Sequence, residues 1–196
     1  MRKLRIDPSN PRTYERLKKE GRGQGVGEAY KPWLTVRDLS SLGESNRLTG
    51  WRTGRRLLHL FSKLERDFFY RLEWFEDVTD YREQFPLELG LTLDIADDLG
   101  LSHPYSRQTG RPMTMTTDFL VTRGLNGDQQ LKAYYVKPAE DLELLNAKRP
   151  RHVKNNLAKL KIEQEYWQRQ GVPHELVTER DFNRVIATNV RAIHAY

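Results

Sequence analysis

Three residues of this chain have the types and positions that hydrolytic chemistry would need: Glu65, Asp118 and Lys137. Cutting a phosphodiester requires an activated water, an in-line approach and neutralised charge on the entering and leaving oxygens. Carboxylates that hold hard divalent cations supply those effects, and a nearby ammonium can serve the phosphate or the water. Glu65 closes Ser62-Lys63-Leu64-Glu65, a capping box that predicts a helix start. Glu65, Phe68, Phe69 and Leu72 then recur at i, i+3, i+4 and i+7, so the acid sits beside the apolar stripe. Two readings stay open for it, a cap and a metal ligand. Asp118 falls in Met115-Thr116-Thr117-Asp118-Phe119-Leu120-Val121, whose β-branched alternation predicts a strand. Lys137 ends Leu131-Lys132-Ala133-Tyr134-Tyr135-Val136-Lys137, the returning arm after Gly124-Leu125-Asn126-Gly127-Asp128, and Pro138 stops it. Tyr135 and Lys137 share one face of that arm. Ordinary structural ion pairing is the alternative for all three. No Gly-x-Ser-x-Gly or His-Glu-x-x-His motif competes.

The elements that must position these residues follow from the pattern around them. Residues 33–36 are apolar and β-branched, and residues 46–48 and 57–60 flank Thr49-Gly50-Trp51-Arg52-Thr53-Gly54, which predicts a β-ribbon. Residues 78–85 alternate and end at Pro86 as a strand would, and residues 94–99 predict a short helix closed by Gly100. The longest helical pattern runs over 151–170, with Val153, Leu157, Leu160, Gln164 and Trp167 along one side and Gly171 and Pro173 at its end. A strand over 174–177 and an amphipathic helix over 181–196 complete the order. The fold class is α/β: a mixed central sheet flanked by helices, with an N-terminal arm and a β-ribbon. Gly21-Arg22-Gly23-Gln24-Gly25-Val26-Gly27 lacks the preceding strand of a dinucleotide site and the Gly-Lys-Ser/Thr of a phosphate loop, so it reads as a flexible loop near phosphate. His103 has no second histidine at ligand spacing and reads as structural.

At 196 residues the chain suits one domain, expected as a flexible basic and glycine-rich arm over 1–30 and a catalytic domain over 31–196. With 31% charged residues, no apolar run of spanning length and no signal-peptide core, it is expected to be a cytoplasmic, membrane-free protein. Cysteine is absent, which rules out disulfides and thiolate zinc and leaves oxygen ligands suited to magnesium. The formal charge of +6 favours a polyanionic partner. Two clusters carry that expectation: Arg47, Arg52, Arg55 and Arg56, and Lys148, Arg149, Arg151, His152 and Lys154. With Arg22, their arginines and lysines are the expected contacts to DNA backbone.

Six co-linear stretches then resemble a known family. They are Glu20-Gly21-Arg22-Gly23-Gln24-Gly25 with Pro32-Trp33-Leu34-Thr35-Val36, Leu64-Glu65, Leu72-Glu73-Trp74, Arg82-Glu83-Gln84-Phe85-Pro86-Leu87, Thr117-Asp118-Phe119-Leu120-Val121 and Val136-Lys137-Pro138-Ala139. Together, over residues 16–195, they resemble TnsA, the endonuclease subunit of heteromeric bacterial transposases. The resemblance implies a restriction-endonuclease-like catalytic domain. It also implies a magnesium-dependent nuclease, with manganese able to substitute, that nicks the 5′ strands at transposon ends. A partner recombinase of the integrase type would cut and join the 3′ ends, and a regulatory AAA+ ATPase is a further implied partner. Carried over by position, Glu65 and Asp118 are the metal-binding acids and Lys137 the lysine of the acid-x-Lys element. Tyr135 stands where the family has glutamine or an acid. A phenol of ordinary pKa about 10 is a poor metal ligand at neutral pH, so the main-chain oxygen of Val136 is the expected third ligand and Tyr135 packs or touches water. The further C-terminal domain of the founding members is largely absent. Two other functions fit the residues: a catalytically silent DNA-binding or assembly subunit, and a general resolvase or restriction-type nuclease.

Overall fold

The computed structural model describes residues 3–4, 6–40, 45–124, 127–144, 149–181 and 183–194. In chain order the elements are β1 (Lys3–Leu4), α1 (Pro11–Lys19), β2 (Leu39–Ser40), β3 (Asn46–Thr49), β4 (Leu57–Leu60), α2 (Lys63–Trp74), β5 (Val78–Pro86), α3 (Leu89–Asp98), β6 (Thr116–Arg123), β7 (Gln130–Val136), α4 (Pro150–Arg169), β8 (His174–Val177) and α5 (Arg184–His194). The central sheet has the order β5-β6-β7-β8. Its first two pairings are antiparallel, and β7 pairs with β8 in parallel across the α4 crossover. Strand alternation sorts the side chains to two faces. Tyr81, Phe119, Val121, Tyr134 and Val136 meet Phe68, Phe69 and Leu72 of α2, Val190 of α5, and Leu58 and Leu60 of the ribbon formed by β3 and β4. Leu120 and Ala133 meet Ile95 of α3 and Ile162 and Trp167 of α4. Among the described residues no helix is long and apolar enough to cross a membrane.

Several elements sit where the pattern put them, and three differ for physical reasons. Helix α3 starts at Leu89, five residues before the expected 94, because the Glu88 carboxylate caps it through the Gly90 and Leu91 amides at 2.8 and 2.6 Å. Helix α4 buries Val153, Asn156, Ile162, Glu163, Tyr166 and Trp167, so its inner face is rotated from the expected stripe and Gln164 is exposed. Residues 33–35 form no strand.

The segment expected to be an arm is packed. Leu17 of α1 is buried, and Tyr30 and Trp33 join the interior. The Tyr30 hydroxyl donates to the Glu83 carbonyl at 3.0 Å, and the Trp33 amide donates to the Gln84 carbonyl at 3.2 Å. Gly23 has φ +78°, and a Cβ there would collide with the Pro86 ring. The glycines therefore let this loop press on the end of β5. Gln84, the residue so clamped, has φ +48°, a strained backbone for a residue with a side chain. Its twist reverses the alternation of β5: Tyr81 lies on the α2 face, whereas Phe85 packs on Trp167 of α4.

Two of the expected DNA contacts are structural here. Arg56 turns inward and grips Glu83 bidentately at 2.9 and 2.8 Å. It also donates to the Tyr81 carbonyl at 3.0 Å and the Gly27 carbonyl at 3.1 Å, which leaves its side chain 7% exposed. Arg22 is likewise engaged, bonding Asp38 at 2.7 Å, Glu20 at 3.1 Å and the Trp33 carbonyl at 3.3 Å. Removing one member of a buried ion pair strands the other charge. Glu83→Gln is thus expected to lower unfolding free energy by about 3 to 5 kcal/mol, read from urea denaturation; a loss within experimental error would show that Arg56 and Glu83 do not hold β4 to β5.

A pH dependence follows from the same ribbon. The His59 ring accepts the Val36 amide at 3.3 Å, and burial, helped by the Arg56 charge, holds its pKa down to about 4. The folded protein therefore keeps this ring neutral between about 6.5 and 4 while the unfolded chain takes up a proton. Stability is lost as pH falls through that window. Urea midpoints at pH 7 and pH 5 are expected to fall further in the wild type than in His59→Gln, and equal falls would remove the assignment.

Candidate active site

Glu65 sits in the first turn of α2, 5% exposed, because two local donors hold its carboxylate. The Phe61 amide donates to one oxygen at 2.8 Å and the Ser62 hydroxyl to the other at 2.9 Å, while Ser62 accepts the Glu65 amide at 3.0 Å. The capping reading is thereby correct. It does not exhaust the residue, whose pKa is raised first by burial and then by the charge of Asp118, against the Phe61 amide, Lys137 and the Ser62 hydroxyl.

Asp118 lies on β6, buried, and accepts the Val136 amide at 2.8 Å. Burial raises its pKa; Lys137, the Val136 amide, the Gln84 amide and Lys159 act in the opposite direction. Gln84 is fixed for that contact by the Thr116 hydroxyl, which donates to its side-chain oxygen at 3.1 Å. The strained backbone at Gln84 thus delivers an amide to a buried acid. Lys137 follows the last residue of β7, where its amide donates to the Val177 carbonyl at 2.9 Å. Its ammonium stands 5.3 Å from the centre of the Tyr135 ring. Helix, strand and adjoining strand therefore bring Glu65, Asp118 and Lys137 into one electrostatic unit.

Tyr135 is buried, and burial, with the charges of Asp118, Glu163 and Asp141, raises its pKa further above its ordinary value. It remains a phenol that packs beneath Lys137, and among the described residues its hydroxyl has no hydrogen-bond partner.

Two more residues reach this place from α4, and the pattern did not single them out. Glu163 is fully buried, with one oxygen 3.4 Å from His174 and the Thr117 hydroxyl beside its carboxylate. Lys159 lies within the fields of Asp118, Glu163 and Lys137. The available signal was a charged residue at 159 and another at 163 on a stripe that also holds Asn156 and Trp167.

The donor set suits a hard cation. All the acids offer oxygen, and two carboxylates whose pKa values are raised by burial, that of Glu65 also by the charge of Asp118, gain most from a divalent charge between them. Among the described residues no group of three or more His, Cys, Asp or Glu converges in a way that could hold a metal, so a main-chain or water oxygen would have to complete the set. At the start of α2 a cleft of about 390 Å³ is lined by Ser62, Lys63, Leu64, Asp67, Pro138, Glu140, Glu179 and Arg180, of which Leu64 and Pro138 adjoin Glu65 and Lys137 in sequence.

The remaining basic residues divide by location. Arg47, Arg52 and Arg55 are exposed on the ribbon, Arg52 with its guanidinium 3.3 Å from the Phe75 carbonyl. Arg149, Arg151 and Lys154 are exposed at the start of α4, which Asn156 ties to the Asp141 carbonyl at 3.1 Å, just beyond Lys137. Lys148 lies outside the described residues.

Residues 75–179 match the family described as TnsA-like endonuclease N terminal. The chain belongs to that family. Over 177 residues it is 41% identical to the transposon Tn7 transposition protein TnsA of Escherichia coli. That similarity covers 90% of this chain and 60% of the relative, so the chain spans about three-fifths of that protein. The four-stranded mixed sheet with helices on both faces is the restriction-endonuclease-like arrangement of the family. The family match contains Asp118, Tyr135, Lys137, Lys159 and Glu163 and begins after Glu65.

An unpartnered buried hydroxyl is a liability that phenylalanine removes. Tyr135→Phe is expected to leave stability unchanged or raise it by about 1 kcal/mol, measured by urea denaturation. A loss of that size would mean that the phenol has a partner it needs.

Proposed function

We propose that the protein is a metal-dependent DNA endonuclease subunit of a transposase, cutting the 5′ strands at transposon ends in concert with a partner recombinase. What supports this reading most is the shared field of Glu65, Asp118 and Lys137, joined to membership of an endonuclease family. Glu65, Asp118 and the main-chain oxygen of Val136 would hold magnesium, with manganese able to take its place. When bound, such an ion lowers the pKa of a water and offsets charge on the phosphate.

The chain's own groups do the rest. Phe61 and Ser62 fix the Glu65 carboxylate, and Val136 and Gln84 fix that of Asp118, so neither must reorganise when a substrate arrives. Lys137, seated over Tyr135, orients the attacking water or takes up charge on the scissile phosphate. Tyr135 keeps its proton and closes the inner wall. Arg47, Arg52 and Arg55 from the ribbon, and Arg149, Arg151 and Lys154 from α4, would track the DNA backbone. A regulatory ATPase would act through surfaces beyond these.

A second reading is a catalytically silent DNA-binding or assembly subunit. Tyr135, in a place where a ligand is expected, and the lack of a third converging acid among the described residues favour it. One experiment separates the two. Purified protein, partner recombinase, transposon-end DNA and magnesium are combined, and new 5′ ends are mapped on each strand. The nuclease reading expects 5′-strand nicks that Asp118→Ala reduces by about 10³-fold, with folding and DNA affinity nearly unchanged. A wild type that binds ends without nicking them, or a mutant that nicks as fast, would leave the silent subunit.

A further inference from the structure

We propose that Lys159 is a second cation of the nuclease site, set on α4 to hold the scissile phosphate alongside Lys137. This rests on the nuclease reading above and adds to it a residue that neither the carboxylates nor the acid-x-Lys element supplies.

The geometry begins with how α4 is anchored. Trp167 donates its indole N–H to the Thr117 hydroxyl at 2.7 Å, which seats the helix on β6 one residue from Asp118. Asn156 donates to the Asp141 carbonyl at 3.1 Å, which seats its other half on the segment after Lys137. Lys159 stands between those anchors, three residues after Asn156 and four before Glu163, both buried. Helical spacing puts all three on the face turned to the sheet. Its neighbours Lys154 and Lys161 point to solvent, whereas Lys159 is half-buried.

A lysine with a flexible stem normally carries its ammonium out to water. Lys159 instead stays where Asp118 and Glu163 attract it and Lys137 repels it. Burial, with the Lys137 charge, also keeps its pKa below the ordinary lysine value. Two ammoniums that repel each other are relieved when a strong anion lies between them. A phosphodiester under attack is such an anion, because negative charge builds on its equatorial oxygens. An ammonium is a compact point charge suited to such oxygens. With few carboxylates in the site, cation charge from the protein carries more of that load.

The test uses the whole chain with the partner recombinase, magnesium and transposon-end DNA. Two variants, Lys159→Met and Lys159→Arg, are compared with the wild type for the nicking rate at saturating protein and for thermal melting. Affinity is measured on ends carrying either the natural phosphodiester or a neutral methylphosphonate at the scissile position. The expected result is nicking about 100-fold slower in Lys159→Met, substantial recovery in Lys159→Arg, and melting within the range of the wild type. The wild type should prefer the charged linkage by about tenfold, and Lys159→Met should show a smaller preference. Equal nicking by Lys159→Met overturns the proposal, as does a rate loss matched by lost folding and not rescued by arginine. If the wild type does not nick at all, the nuclease reading fails by itself. The linkage comparison then still decides Lys159, since equal preference in wild type and Lys159→Met overturns its contact with the phosphate.

Discussion

Two carboxylates buried beside each other are the constraint around which this molecule is built. Glu65 and Asp118 each lose most of their hydration, and the charge of Asp118 raises the charging cost of Glu65 further. Such burial costs several kcal/mol per ion unless hydrogen bonds and opposite charge offset it. The offsets come from the capping turn at 61–62, the Val136 amide on β7, the Gln84 amide on β5 and the lysines at 137 and 159. A fold seeking stability alone would place apolar side chains there. Retaining the acids makes the site a store of electrostatic free energy that a cation can release.

The strain at Gln84 belongs to the same economy. A left-handed glutamine backbone costs of order 1 to 3 kcal/mol, and it persists only because its surroundings over-determine it. The Trp33 amide holds its carbonyl, Tyr30 holds that of Glu83, and the glycine loop bears on Pro86 just beyond. Arg56 and Glu83 lock the ribbon to the same strand. Residues far apart in sequence thus converge on one stretch of β5, and the outcome is an amide aimed at Asp118. The N-terminal region is accordingly part of the support for the site.

Much of this was legible in the sequence because it is local. The box at 62–65 starts α2, the alternation over 115–121 and 131–137 gives β6 and β7, and Thr49-Gly50 to Gly54 connects the ribbon. What escaped is non-local. A cluster of arginines at 47, 52, 55 and 56 looks uniform along the chain, yet Arg56 faces Glu83, 27 residues on, and its neighbours face solvent. The apolar count on α4 placed Trp167 correctly but also favoured Leu157 and Leu160, while the tertiary anchor at Asn156 turned Lys159 and Glu163 to the sheet. Periodicity weighs hydrophobicity, so it gives no credit to a charged residue buried for chemistry.

Charge balance offers a last check on how these parts fit. With Glu65, Asp118 and Glu163 all ionised, Lys137 and Lys159 leave one negative charge uncompensated, and burial separately raises the pKa of each acid. A divalent cation would convert that excess into one positive charge, and a phosphodiester carries one negative charge to meet it. The proposed reaction would therefore bring the site to neutrality only when both ion and DNA strand are present. Neither alone satisfies it. A nuclease arranged in this way resists firing without its proper substrate, and coupling to a partner that delivers the strand would complete that restraint.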